Sequence, residues 1–287
     1  MSIRTAPSPP HTEFFPPARA PRAPARWLVA IADDYRQLTR FWPVIQNMVV
    51  QDLRVRYQRS MLGFFWTLLN PILMMATLTV VFSQLMGSDW HDYALYLFAG
   101  MVPWTLLNSS LNDCTYCIIN NEGLIRKIFL PKLIFPLSRV LINLTTFVLS
   151  LVALFALLAP LGARFTLPML LLPVVILLFA VFGLGLGLIV AILNTFFRDC
   201  SHLVNVLLQA WYFATPILWK AEQFGSKRWL LALNPAYPFI NLFQVIIWGG
   251  HWPSLLMFSL AAGIAAVSLG VGYASFKCHE DKLVFRL

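Results

Sequence analysis

Few side chains in this sequence have the types and spacing that chemistry requires. Cys114 and Cys117 form a C-x-x-C pair, yet neither a second such pair nor a pair of histidines accompanies it, as a four-ligand zinc site would need. The other cysteines are Cys200 and Cys278. We predict that all four lie near a reducing cytoplasmic face. We interpret them as free thiols, with a redox or zinc site as the alternative.

The sequence signatures of common enzymes are missing as well. The chain contains no H-E-x-x-H, no G-x-S-x-G and no G-x-x-x-x-G-K-[ST] motif, so it offers neither a metalloprotease helix nor the phosphate-binding loop of an ATPase. We therefore predict that the chain is not an enzyme and that it binds no metal and no cofactor itself. The enzymatic alternative is a membrane-embedded glycosyl- or acyltransferase, for which we find no pair of carboxylates.

The composition indicates which solvent surrounds the chain. Of its 287 residues 59% are apolar and 11% are charged, and the mean hydropathy is +0.72; soluble domains are about half apolar and about a quarter charged. The net charge is +9, and nine of the 21 basic residues precede the first long apolar run. No basic face with interleaved aromatic residues is visible, so no nucleic-acid partner is predicted.

Six stretches are long and apolar enough, or nearly so, to cross a bilayer, which takes roughly 20 residues. They cover residues 63–86, 93–119, 137–160, 167–193, 203–219 and 254–276. The sequence thus predicts an all-α integral membrane protein with six transmembrane helices. No Asp, Glu, Lys, Arg or His lies at the centre of a stretch, which argues against ion-coupled carriers and ion channels.

The basic residues predict the orientation. If both ends are cytoplasmic, seventeen Lys and Arg lie on the cytoplasmic side and four on the other, as the positive-inside rule requires. We therefore predict a multi-pass protein of the bacterial cytoplasmic (inner) membrane with cytoplasmic N- and C-termini.

The segments outside the spans set the predicted boundaries. Residues 1–26 contain seven prolines and are predicted to be a disordered cytoplasmic tail. Residues 27–62 are predicted to be an amphipathic helical segment at the membrane interface, or else an ordinary helix packed on protein. The six-span domain covers residues 63–276, and a cytoplasmic tail covers residues 277–287.

Two connections inside the six-span domain differ from simple loops. Residues 120–136 are basic and amphipathic and are predicted to form a cytoplasmic coupling loop. Residues 220–253 are predicted to form an extracytoplasmic gate segment between the fifth and sixth spans. Its apolar part, residues 237–249, is too short to cross a bilayer and is predicted to be a re-entrant or gate helix.

Four blocks of sequence occur in a recognisable order. They are residues 52–71 (DLRVRYQRSMLGFFWTLLNP), 98–104 (FAGMVPW), 121–136 (NEGLIRKIFLPKLIFP) and 183–216, which contains the turn Asn194, Arg198 and Asp199. Together they resemble the permease (transmembrane) subunits of type-2 ABC exporters that move polysaccharides, the O-antigen, teichoic-acid and related lipid-linked glycan export families. The resemblance covers about residues 40–287.

The resemblance implies a function. Members of this family have six spans, pair as homodimers with a channel between the protomers, and leave hydrolysis, with its ATP and Mg, to a separate ATP-binding subunit. The chain would then export a lipid-linked, O-antigen-like polysaccharide. A capsule exporter, or a drug or lipid exporter of the same architecture, is the alternative.

The resemblance also suggests three groups of site residues. A surface with charges and an aromatic anchor suits a partner ATPase, and its predicted members are Glu122, Arg126, Lys127, Phe129, Lys132, Arg198 and Asp199. Basic residues at the membrane surface are placed to meet a lipid pyrophosphate, and they are Arg54, Arg56 and Arg59. Aromatic rings can stack on sugars, and the candidates for the glycan channel are Phe64, Phe65, Trp66, Trp104, Trp211, Tyr212 and Phe213. The alternatives are topology-determining loops, a helix-end salt bridge and an interfacial aromatic belt.

Overall fold

The computed structural model describes residues 24–58, 65–87, 89–158, 166–283 and 286. Within them the chain forms ten α-helices, three 3-10 segments and no strand, which confirms the predicted all-helical fold. The helices are α1 Pro24–Arg40, α2 Trp42–Gln58, α3 Phe65–Met86, α4 Trp90–Tyr116, α5 Glu122–Lys127, α6 Ile134–Leu158, α7 Leu172–Phe196, α8 Cys200–Ala214, α9 Tyr237–Ile247 and α10 Leu255–Leu283. The 3-10 segments are Ile119–Asn121, Leu167–Leu171 and Ala221–Leu233.

Six of these helices overlap the predicted spans, namely α3, α4, α6, α7, α8 and α10. Among the described residues, three stretches are long and apolar enough to cross a membrane: Ile134–Val152, Leu167–Phe196 and Leu255–Leu283. Leu69–Leu85 and Tyr237–Ile247 are shorter apolar helices, and α8 has 15 residues. The number of six spans stays a prediction.

The helices run back and forth, so the bundle has two ends. α4 ends and α6 begins at one of them, which we call the coupling end because it holds residues 113–139. The opposite end, with residues 87–93 and 215–254, we call the cavity end. The sequence predicts that the coupling end is cytoplasmic and that the cavity end is extracytoplasmic.

Backbone-to-backbone packing joins α7 to α10. A Cβ on Gly272 would lie 2.1 Å from the carbonyl oxygen of Gly185, and one on Gly185 would lie 2.4 Å from Ser268. Ser268 Oγ also donates a hydrogen bond of 3.0 Å to the carbonyl oxygen of Phe182. Small residues thus let the two helices meet without side chains between them, as is common in membrane helix pairs.

α9 lies in the core, packed against α4, α7 and α10. Phe239, Phe243 and Ile246 are all fully buried, and Phe239 stacks on Phe182 of α7 with 4.8 Å between ring centroids. A short helix therefore lies where the sequence predicts a re-entrant or gate helix, and with 11 residues it is too short to span a bilayer.

The predicted helical segment 27–62 consists of two helices within its described part. The break falls at Phe41, and Pro43 follows in the first turn of α2, where a missing N–H costs nothing. Ile45 is fully buried and α2 packs along α6. α1 is fastened to α10 through the buried Asp34, whose carboxylate lies 2.9 Å from Lys277 Nζ. Residence at the membrane interface stays a prediction for both helices.

Candidate functional site

The predicted coupling loop forms an ordered surface at the coupling end. The Ile119–Asn121 turn leads into the short helix α5, in which Glu122 and Arg126 form an ion pair of 2.6 Å across one turn. Asn121 Nδ2 donates to the carbonyl oxygen of Cys117 at 2.7 Å and so ties the turn to the end of α4. Lys127 is exposed, and Phe129 is 87% exposed. The segment therefore presents an aromatic ring beside positive charge.

Lys132 differs from the other residues predicted for this surface. Its Nζ donates to the carbonyl oxygen of Glu280, near the end of α10. Burial lowers the pKa of Lys132 from its ordinary value, although the nearby Glu280 and Asp281 favour the charged form. Lys132 thus holds the coupling loop onto α10, and it is less exposed than Lys127 and Phe129.

The turn between α7 and α8 lies at the same end. Arg198 and Asp199 are exposed there. The turn is fixed from inside by Asn194, which is 1% exposed: its Nδ2 donates to the carbonyl oxygen of Thr115 at 2.9 Å and its Oδ1 accepts from Ser201 N at 3.1 Å. The Asn-x-x-x-Arg-Asp pattern therefore combines a buried anchor with an exposed charged pair.

The arginines predicted for pyrophosphate entry fall into different positions. Arg54 is exposed, and Arg59 lies outside the described residues. Arg56 lies 3.4 Å from Asp52 and 3.9 Å from Asp113. It therefore belongs to a charge network that the sequence did not reveal.

That network, which we call the α2–α4–α6 charge network, joins three helices. Arg139 of α6 pairs with Asp52 of α2 at 2.9 Å, and Asn143 Nδ2 donates to Asp113 of α4 at 2.8 Å. Sequence analysis assigned Arg139 only to the topology count, since Asp52 is 87 positions away. Arg54 lies on α2, the helix that contributes Asp52 to this network.

Four of the seven predicted channel aromatics come together near the cavity end. Trp104 is 5% exposed, and its ring centroid lies 5.7 Å from those of Trp211 and Tyr212. Phe213 packs edge-on against Tyr212 at 5.4 Å. Trp66 does not join them and is exposed at the start of α3; the side chain of Phe65 is not described, and Phe64 lies outside the described residues.

A cavity of about 600 Å³ opens beside this aromatic cluster, a size typical of ligand sites. Its walls come from the end of α8 and from the segment before α9; they are Trp211, Phe213, Ala214, Trp219, Gln223, Leu230, Leu231, Leu233, Asn234 and Pro235. We call it the outer cavity. Aromatic faces and a few polar groups are what a carbohydrate site requires, because sugars present C–H faces and hydroxyl rims.

Residues 211–219 and residues 230–235 border the outer cavity, and hydrogen bonds fasten both segments. Tyr93 Oη donates to the carbonyl oxygen of Leu218 at 2.6 Å, and Tyr96 Oη and Gln244 Nε2 both donate to that of Pro216, at 3.0 and 2.7 Å. Asn234 binds both α8 and the start of α9. Sequence analysis predicted none of these contacts.

The cysteines and histidines form no metal site in the described part of the chain, where no group of three or more His, Cys, Asp or Glu converges. Cys114 and Cys117 are buried as free thiols, and Cys114 packs beside Gly187 of α7. Whether any metal or cofactor binds this chain stays a prediction.

Comparison with known families decides the class of protein. Residues 43–248 match the family described as ABC-2 type transporter. The chain belongs to this family. The resemblance inferred from the sequence is therefore confirmed, and the chain is a membrane permease with a role in transport.

Several curated relatives align over most of this permease. It is 31% identical over 250 residues to an O-antigen export system permease protein of Myxococcus xanthus, covering 86% of this chain and 96% of the relative. It is 29% identical to an O-antigen export system permease protein of Klebsiella pneumoniae, over 70% of this chain and 78% of the relative. A polysialic acid transport protein of Escherichia coli is 21% identical, over 84% and 95% respectively.

Proposed function

We propose that this permease is the transmembrane subunit of an ATP-driven exporter that moves a lipid-linked, O-antigen-like polysaccharide across the bacterial inner membrane. The observation that carries the proposal is the alignment with an O-antigen export permease over 96% of that protein's length. The outer cavity supports it, because its aromatic walls suit a chain of sugars.

A separate ATP-binding subunit, with its ATP and Mg, would dock at the coupling end. The exposed ring of Phe129 offers an anchor for a pocket, and Arg126 and Lys127 offer charges that select its orientation. Arg198 and Asp199 are exposed at the same end and extend this surface. Cytoplasmic N- and C-termini belong to the same proposal, and the positive-inside bias supports them.

A second copy of the chain would complete the channel. Leu203, Val206 and Leu207 are exposed on α8, and Phe213 continues this apolar side to the outer cavity. A partner protomer against α8 would enclose the cavity between two aromatic walls. The lipid pyrophosphate would enter from the opposite end, where Arg54 and Arg56 are exposed, with Arg59 as the third basic residue of that group.

A capsule polysaccharide is the second candidate cargo. It is favoured by the alignment with a polysialic acid transport protein over 95% of that protein's length. At 21% identity this relative is the more distant one, so the O-antigen-like cargo takes precedence.

Deletion of the gene tests the proposed function. Surface polysaccharide and lipid-linked glycan inside the membrane would be compared in the deletion strain and in the same strain carrying the wild-type gene. Loss at the surface with accumulation inside, both reversed by the gene, is the expected result. Normal pools in the deletion strain, with no redundant exporter present, would contradict polysaccharide export.

A further inference from the structure

Asn234 lies in the wall of the outer cavity, yet its amide is fully occupied by the protein. Its Oδ1 accepts from Trp211 Nε1 at 2.7 Å and from Ala236 N at 3.0 Å. Its Nδ2 donates to Thr215 Oγ1 at 2.9 Å and to the carbonyl oxygen of Ala214 at 3.3 Å. An asparagine amide has two donors and two acceptor lone pairs, so no valence is left for a sugar hydroxyl.

The partner that matters most for the cavity is Trp211. Its ring is half-buried and packs edge-on against Trp104 and Phe182, with centroids 5.7 and 6.3 Å away. These two ring contacts, together with the short bond from the indole N–H to Asn234 Oδ1, hold the ring in one orientation. Trp211 also lines the outer cavity.

We propose that Asn234 is a positioning residue that holds the Trp211 indole in the orientation at which its face meets passing sugar rings. The inference rests on the proposed function of polysaccharide export. A ring stacks on a sugar only while its face points at the passage, and a locked side chain loses no freedom when the sugar arrives. Asn234 thus contributes to transport through Trp211 and not by touching the cargo.

The first test reads the indole directly. In the full-length permease labelled with 15N-tryptophan, the Trp211 N–H signal is assigned by its loss in Trp211→Phe. We expect Asn234→Ala to shift this signal towards the position of a weakly bonded indole. Thr215→Val is the control, because it removes another partner of Asn234 and the bond from Thr215 Oγ1 to the Trp211 carbonyl oxygen but leaves the bond to the indole N–H in place. An unmoved signal in Asn234→Ala would overturn the proposal.

The second test measures export of the host's own glycan by a deletion strain carrying each variant, normalised to the amount of permease in the membrane. Asn234→Ala and Trp211→Phe should each reduce surface glycan about 3- to 10-fold, the population change expected for one ordinary hydrogen bond. The double variant should export no less glycan than whichever single variant exports less. A purely structural role of Asn234 would make the two losses multiply, and that result would contradict the proposal.

Asn234→Asp covers the case in which Asn234→Ala does not accumulate. It keeps an acceptor for Trp211 and loses both donors, and an ionised carboxylate accepts a stronger hydrogen bond from an N–H than an amide oxygen does. The indole signal should therefore not move towards the position of a weakly bonded indole. A signal at that weakly bonded position in Asn234→Asp would refute positioning through Trp211. If the wild-type gene itself fails to restore surface glycan, the proposed function fails, whereas the indole result is read independently.

Discussion

Ion pairs join the helices at the coupling end, whereas most of the described polar contacts that join them at the cavity end are neutral hydrogen bonds. Arg139 and Asp52 pair at 2.9 Å in the first region, while Tyr93, Tyr96 and Gln244 bind backbone carbonyls in the second. The cavity end has one described ion pair that joins separate segments, Lys220 with Asp92 at 3.3 Å, and Trp248 Nε1 also donates to that carboxylate. Fixed charge is concentrated where a charged partner and a lipid pyrophosphate are proposed to bind.

The difference has a consequence for stability. Ion pairs weaken as salt screens them, and they weaken less when they are buried. Neutral hydrogen bonds keep their strength in salt, and their loss costs most when a buried group is left without a partner. The two ends should therefore respond differently to the same solution conditions.

The largest effect on stability is expected at the contact of α7 and α10, two long helices that run between the two ends. Gly272→Ala would place a Cβ 2.1 Å from the carbonyl oxygen of Gly185, so the helices must separate, and the free energy of unfolding should fall by about 3 kcal/mol or more. Gly270→Ala is the control, because nothing lies within 4 Å of its Cβ. Denaturant unfolding in mixed micelles measures both, and equal stability of the two variants would contradict the packing described.

A smaller loss is expected when the α2–α4–α6 charge network is broken. Arg139→Leu leaves Asp52 without its 2.9 Å partner and should lower the free energy of unfolding by about 1–3 kcal/mol, less than for a fully buried pair. The loss should shrink at 0.5 M salt, since salt also screens the wild-type pair. Arg54→Leu, at an exposed position of α2, is the comparison variant. An equal loss of stability there would show that the charge network does not stabilise the protein.

At the cavity end we expect a loss that does not depend on salt. Gln244→Leu removes a donor to the carbonyl oxygen of Pro216 and should lower the free energy of unfolding by about 1 kcal/mol. Tyr96 continues to bind that oxygen, which limits the effect. The same substitution at the exposed Gln209 should be neutral, and a salt-dependent loss for Gln244→Leu would show that the two ends do not differ as described.

The smallest effect on stability is expected at Phe129. Because this ring is 87% exposed, Phe129→Ala should change the free energy of unfolding by less than about 0.5 kcal/mol. The amount of ATP-binding subunit that co-purifies with the permease should nevertheless fall several-fold. Leu85→Ala, at an exposed position on α3 near the other end, should leave co-purification unchanged. Undiminished co-purification of Phe129→Ala would place the docking surface elsewhere.

Much of the fold could be predicted because long apolar runs have few alternatives. The end of the second predicted span was the hardest part, since Asn108 to Asn121 is polar. The structure continues α4 to Tyr116, and polar side chains there are satisfied within the helix: Thr115 Oγ1 donates to the carbonyl oxygen of Leu111 at 2.7 Å, and Asn112 donates to Asn108. At the other end α4 begins three residues early, at Trp90, because the Asp89 carboxylate caps its first turn.

The site was less predictable because its geometry depends on contacts between distant residues. Phe129 and Trp211 could be selected by residue type alone. Arg139 could not be matched to Asp52, because a topology count does not say which helices touch. Asn234 could not be matched to its partners from sequence, because three of its four bonds reach residues 211–215 and exist only after the segment before α9 packs on α8.

The meeting of α7 and α10 also bears on how the chain is made. Gly185 and Gly272 are 87 positions apart, with α8, the gate segment and α9 between them. Translation therefore delivers α7 to the membrane well before α10 exists, and the surface around Gly185 faces lipid or insertion machinery until α10 arrives. A chain that ends before α10 would leave this close-packing surface of α7 uncovered.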